Sequence, residues 1–312
     1  MTKKIFQWNY EISGLIPKPV KLKRKLWLKK DEILLEKNGN ELRAFVLGDE
    51  EDRGEEKLTR YLWISSLVTT NSAEVSGGSG ASLNSTNELG KKPVLTGKLS
   101  IGMPDVAVDD MEKHAPKFIK FIGNLHDKYI DAIQENDFIT IALDYFHDSE
   151  KKFVYSNEGF ISAIVSLESM FNEGPSDIKY KLSHRAAFLL GMYGLDPIEA
   201  FEKLKVFYNN RSKLVHGGGK LKNDPDRYLV SRYTRRCLII FLILLNKPER
   251  RALGAKKRKE AILREIDYAM LNESGRISLN KEIKKGLKDF DTKIQRTFEG
   301  ELDGKSYRVT AW

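Results

Sequence analysis

The chain has 312 residues, 41% of them hydrophobic, and a formal net charge of +9. That much apolar residue excludes a disordered chain and leaves room for one large or two ordinary domains. The positive excess suits a polyanionic partner such as nucleic acid, and equally a basic protein that has none.

Residues 1–105 read as a β-rich region for sensing or recruitment. In KPVKLKRKLWLKK, Val20, Leu22, Leu26 and Leu28 alternate with Lys21, Lys23, Lys25 and Lys29, which predicts a half-buried strand with a lysine face. Such a face guards an edge strand or touches phosphates. ILLEKNGNELRAFVLG predicts two strands joined at Asn38-Gly39, and LTRYLWISSLVTT predicts another. The Ser-, Gly- and Asn-rich stretch 71–92 reads as a flexible loop, and VLTGKLSIG as a further strand.

From residue 106 the pattern turns helical. Helices are expected over 109–133, 136–149, 157–172, 177–192, 197–216, 225–246 and 249–272. Asp196-Pro197-Ile198-Glu199 and Asp224-Pro225 are sharp helix starts. CLIIFLILL, Cys237–Leu245, is too short to span a bilayer and reads as a buried helix segment. The polar tail 274–312 ends in the short strand candidate SYRVTAW. The expected class is therefore α+β: a β-rich N-terminal region followed by an α-helical bundle over 106–273.

Cys237 is the only cysteine, so internal disulfides and multi-cysteine metal sites are excluded and a reducing, cytoplasmic setting fits. The N-terminal residues MTKKIFQWNYEISGL lack a signal-peptide apolar run. No membrane partner, cofactor or metal is expected: glycine-rich phosphate loops, zinc spacings and acidic clusters are all missing from the sequence.

YNNRSKLVHGGGK, Tyr208–Lys220, is the most informative stretch. At about 100° per residue, Leu204, Phe207, Tyr208, Leu214 and Val215 all lie within about 60° of Arg211 on a helix over 197–216. Glu202, Asn209 and Lys213 form the exposed face. Arg211 thus sits on an apolar arc and needs a carboxylate, a phosphate or a subunit boundary. Gly217, Gly218 and Gly219 stop the helix and leave space for a substrate backbone. His216 stands at the helix end, where the dipole favours a cation. An imidazole and a guanidinium beside open space suit metal-free RNA cleavage. The 2′-hydroxyl is the nucleophile, His216 takes its proton, and Arg211 holds the phosphorane charge. The bland alternative is a structural arginine–carboxylate pair and a dipole-favoured histidine. An Arg-x4-6-His spacing occurs once in the chain but is by itself a weak signal.

FISAIVSLESMF, KYKLSHRAAFLLG, AFEKLKVFYNNRSKLVHGGG and RYLVSRYTRRCLIIFLILL occur in this order. Over roughly residues 136–248 the chain resembles the Apea-like branch of the HEPN superfamily. The resemblance implies an α-helical bundle and a metal-independent endoribonuclease. It also implies a homodimer in which two Arg-x4-6-His motifs face each other, and a role in toxin, abortive-infection or antiviral defence systems. Arg211 and His216 would be the catalytic pair. Ser212 would position a phosphate or bond the helix backbone. Glu168 would orient Arg211 or lie on the surface. Arg185 is expected to pair with a carboxylate in the bundle, and His184 has no matched role.

Residues 225–264 hold twelve Lys or Arg against three acids. Among them Arg232, Arg235 and Arg236 on one helix are candidate RNA-binding residues, or members of a solvated face. Tyr228 and Tyr233 are candidates for base stacking or for the core. The expected partners are RNA, with tRNA among the candidates, a second copy of the chain, and an effector or inhibitor at the N-terminal region. The competing expectation is a non-catalytic HEPN-like module that binds RNA or a protein.

Overall fold

The computed structural model describes residues 5–13, 26–29, 33–38, 41–48, 55–68, 74–83, 111–151, 156–174, 176–217, 224–291, 296–302 and 305–311. The chain divides into two units, residues 1–127 with 291–312, and residues 128–290.

In the first unit, strands β1 (Ile5–Ser13), β2 (Leu26–Lys29), β3 (Ile33–Asn38) and β4 (Glu41–Gly48) are followed by helix α1 (Glu55–Val68) and strand β5 (Glu74–Leu83). Backbone pairing runs in the order β2-β3-β4-β1-β5. The β3–β4 hairpin turns where expected, with Asn38 opposite Glu41. Ile33, Ala44 and Val46 of these strands are buried. Residues 58–68, expected as a strand, lie in α1, and every residue from Tyr61 to Val68 is buried. A segment buried all round has no polar face, so periodicity cannot separate strand from helix. Residues 74–83, expected within a flexible loop, are strand β5; pairing with β1 satisfies their backbone whatever the small side chains contribute. The strand expected over VLTGKLSIG lies outside the described residues, as do most of KPVKLKRKLWLKK and the rest of 71–92.

The expected class is corrected accordingly. The part of the structure whose side chains are described is overwhelmingly helical and forms an all-helical bundle, and the N-terminal strands, paired through their backbone, do not make it the β-rich α+β fold expected. The physical reason lies in apolar runs such as LTRYLWISSLV and CLIIFLILL, which bury side chains on nearly every side as helices.

The bundle comprises α2 (Met111–Gln134), in which the division between units falls, then α3 (Asp137–Lys151), α4 (Asn157–Phe171), α5 (Ile178–Tyr193), α6 (Pro197–Val215) and α7 (Asp224–Leu245). It continues with α8 (Pro248–Arg251), α9 (Ala255–Leu271), α10 (Glu273–Leu287) and a short 3₁₀ turn at Lys288–Phe290. A C-terminal hairpin, β6 (Arg296–Leu302) with β7 (Lys305–Ala311), ends the chain. The helix starts follow from local chemistry. The Asp196 carboxylate accepts from the Ile198 and Glu199 N–H groups at 2.8 and 3.0 Å, and Ser156 caps α4 in the same manner. Leu253-Gly254 breaks the single helix expected over 249–272 into α8 and α9.

α7 is central, touching α3, α4, α5, α6, α8, α9 and α10. Cys237 to Leu245 are all buried, as a helix apolar on every side requires. The close approach of α10 has a specific cause. A Cβ on Gly286 would lie 2.4 to 2.9 Å from three carbons of Ile243. Gly286→Ala is therefore expected to lose about 1–3 kcal/mol, read from urea unfolding, because the packed Ile243 must give way. An unchanged midpoint would show that α10 can slide freely.

Three buried arginines tie the helix ends together. Arg185 on α5 donates to the Phe171 carbonyl, to Glu173 and to both oxygens of Asp267. Arg250 holds the Leu244 carbonyl, Glu265 and Glu282. Arg258 holds the Leu253 and Arg251 carbonyls and Glu135. The Phe171, Leu244 and Arg251 carbonyls lie in the last turns of α4, α7 and α8, where a helix leaves them without an intrahelical partner. The carboxylate pairing expected for Arg185 is thus present. Among the described residues no helix is long and apolar enough to cross a membrane.

Candidate active site

Glu168, one turn before the end of α4, faces the C-terminal half of α6. Leu204, Phe207 and Ala200 on α6 are buried, and this fixes the rotation that presents Arg211 to α4. The Arg211 guanidinium meets the Glu168 carboxylate at 3.3 Å, with the two side chains 26% and 17% exposed. The Arg211 Nε is buried without a hydrogen-bond partner. The Tyr208 hydroxyl completes the group by hydrogen bonding to Glu168.

Burial pushes the Glu168 carboxyl above the ordinary carboxylate range, against the pull of Arg211 and of the Tyr208 hydrogen bond. Burial, then the nearby Glu168 charge, pushes the Tyr208 phenol up. A carboxyl whose folded pKa exceeds its unfolded value binds its proton more tightly in the native state. Its contribution to stability is present below the unfolded value of about 4.3 and fades as pH rises through the folded value. The wild-type chain should therefore lose stability over that window relative to Glu168→Gln. Parallel pH profiles of the urea midpoint in the two proteins would refute this.

Of the candidate site residues, Arg211 and Glu168 are brought together. His216 is exposed at the end of α6, and its backbone N–H reaches the Ser212 and Leu214 carbonyls. Gly217 adopts φ +81°, a conformation that glycine accepts and that ends the helix. Gly218 and Gly219 lie outside the described residues. Five residues along a helix separate Arg211 and His216 by about 140° around the axis and about 7.5 Å along it, so one copy does not place them on one face. Ser212 is half-buried, and its carbonyl serves His216. Val215, expected on the buried arc, is 49% exposed because the arc ends with the last turn of α6.

The arginines of α7 separate. Arg235 is consumed by Glu150 at 2.6 Å in a nearly dry setting, with Ser231 on the other carboxylate oxygen. Arg232 is exposed over the Tyr228 ring, and Arg236 lies 5.0 Å over the Tyr193 ring with no ion pair among the described residues. Burial, then the neighbouring Arg232, lowers the Arg236 pKa. Tyr233 is buried, whereas Tyr228 stays exposed. Much of the rest of the basic stretch is also occupied: Arg251 pairs with Asp131, Lys247 with Glu282, and Lys259 donates to the Ser169 carbonyl.

Tyr208 is the member of the group that sequence reasoning did not assign. Its position one turn before Arg211 was the available signal. Among the described residues no group of three or more His, Cys, Asp or Glu could hold a metal ion. Comparison with protein-family models, curated proteins and solved structures returns no match.

Proposed function

We propose that this chain is a metal-independent endoribonuclease whose site uses Arg211 and His216. One observation carries the reading. Arg185, Arg250 and Arg258 are saturated by carboxylates and carbonyls, whereas Arg211 is held by a single 3.3 Å contact and stays about a quarter exposed. A bundle that supplies partners for its structural arginines leaves this one able to accept a phosphate. The ordered segments that resemble HEPN proteins point the same way, and a toxin or defence role follows from that resemblance.

In this reading the neutral His216 imidazole removes the 2′-hydroxyl proton, and the 2′-oxygen attacks the adjacent phosphorus. Arg211 holds the charge of the pentacoordinate phosphorane. The 5′-oxygen leaves and takes up a proton from water, while the His216 imidazolium returns its own to solvent, giving a 2′,3′-cyclic phosphate and a 5′-hydroxyl. Glu168 and Tyr208 orient the guanidinium. Since one helix turns the two groups apart, a cleft shared by two copies joins Arg211 of one to His216 of the other. Arg232 and Arg236 stand as RNA-binding cations, and Arg235 drops out because Glu150 occupies it.

The test is incubation of the purified chain with single-stranded RNA and tRNA in EDTA. Cleavage to cyclic phosphate ends is expected. RNA that is bound but never cut, together with unaffected growth on expression, would favour a non-catalytic binding module. The separation of Arg211 from His216 on one helix is the observation that favours that second reading.

A further inference from the structure

We propose that the outer face of α5 and α6 bearing Tyr180, His184, Phe201 and Lys205 is a stacking platform for bases of single-stranded RNA, laid in line with His216. The inference rests on the reading of the protein as one that acts on RNA. Tyr180 is 56% exposed, and its ring lies 15° from parallel to that of His184, with centroids 5.4 Å apart. Phe201 stands edge-on to both rings, at 6.1 and 5.9 Å. The Lys205 ammonium lies 4.9 Å over the Phe201 ring. Lys179 reaches across to Asn209 on α6 at 3.4 Å.

Three rings gathered outside the core leave π-faces to which any base can stack, and the lysines beside them suit a phosphate backbone. Glu202 pairs with Lys205 at 3.1 Å but is 62% exposed, so its partnership is easily exchanged. The helical period ties this face to the candidate site. Measured from Arg211, Phe201, Ser212, Lys205 and His216 fall at about 80°, 100°, 120° and 140°, on one side of α6. From Phe201 to His216 the stripe runs about 22 Å, the reach of a short single strand. The platform would hold nucleotides away from the scissile bond and set how the strand enters.

The test measures binding of a fluorescein-labelled single-stranded RNA of mixed sequence in EDTA, with His216→Ala as the background so that bound RNA is not cut. Tyr180→Ala on that background is expected to weaken binding about tenfold, with Tyr180→Trp restoring it. Lys205→Gln should lower the slope of log K against log salt by about one. Because Tyr180 is exposed, its loss leaves the urea midpoint in place. Binding within about twofold in both Tyr180→Ala and His184→Ala would overturn the platform. So would an absence of RNA binding, or a Tyr180→Ala change in the sedimentation of the protein alone with RNA binding intact, which would mark the face as a contact between copies. Tyr180-dependent binding by a wild-type chain that never cuts RNA would keep the platform and remove the nuclease reading. Cutting that ignores Tyr180 would do the reverse.

Discussion

His216→Ala is expected to slow RNA cleavage by about 10²–10⁴-fold while leaving the unfolding midpoint within about 0.5 kcal/mol of wild type. The ring is exposed, and the helix cap needs only the backbone N–H at that position. Alanine keeps the backbone bond and removes only the imidazole, so a loss of rate reports chemistry. Arg211→Ala should cost a similar factor, but it also leaves the buried Glu168 without its cation. Arg211→Lys separates the two effects, because it keeps a charge near Glu168 and loses the planar fork that fits a phosphate. Cleavage lost in Arg211→Lys with the fold intact supports the phosphate role. A His216→Ala chain that cuts at the wild-type rate would remove histidine from the reaction. Mixing the two inactive alanine variants probes the shared cleft. If each site takes Arg211 from one copy and His216 from the other, mixed dimers regain one intact site, about a quarter of all sites at random exchange. A site contained within one copy would regain nothing.

Arg250→Ala is expected to cost about 3 kcal/mol of stability, the largest single loss among the substitutions considered, read from the urea midpoint of the full chain. The Arg250 side chain is 3% exposed and joins the Leu244 carbonyl near the end of α7, Glu265 of α9 and Glu282 of α10. Its removal leaves a buried carbonyl without its guanidinium donor and the mostly buried Glu282 with Lys247 alone, at 3.2 Å. Glu265 is 46% exposed and can rehydrate, which places the loss at the low end of the range of about 3–5 kcal/mol for broken buried pairs. Replacing Arg250 by Met together with Glu282 by Leu should cost less than Arg250→Ala, because the mostly buried carboxylate is removed with its guanidinium, and the charges left over, Glu265 and Lys247, are 46% and 41% exposed and can hydrate. A double variant less stable than the single one would show that the ion pair itself, and not the stranded carboxylate, carries the energy.

The helical half was legible from residues alone. Asp196-Pro197 marked the start of α6, and CLIIFLILL marked a helix buried on every side, since both are local signals. The class was misread because residues 58–68 combine β-branched and aromatic side chains with burial at nearly every position, and the helix they form has no polar stripe. α10 lay in a polar tail whose packing depends on Gly286 meeting Ile243, a contact between distant positions. Within the candidate site, an arginine on an apolar arc was visible from period, and Glu168 was one of two readings, partner or surface residue, between which only the fold chose.

Sequence by itself determined where α6 begins and ends, which face of it is apolar, and that Arg211 needs a partner, because capping, period and the cost of a buried charge act over a few neighbouring residues. Tertiary structure alone decided that Glu168, itself beside Tyr208, answers Arg211, that Glu150 withdraws Arg235 from the basic face, and that Tyr180 meets Phe201. Those pairings join residues distant in the chain. They depend on how whole helices rotate to bury their apolar sides, which no single segment encodes.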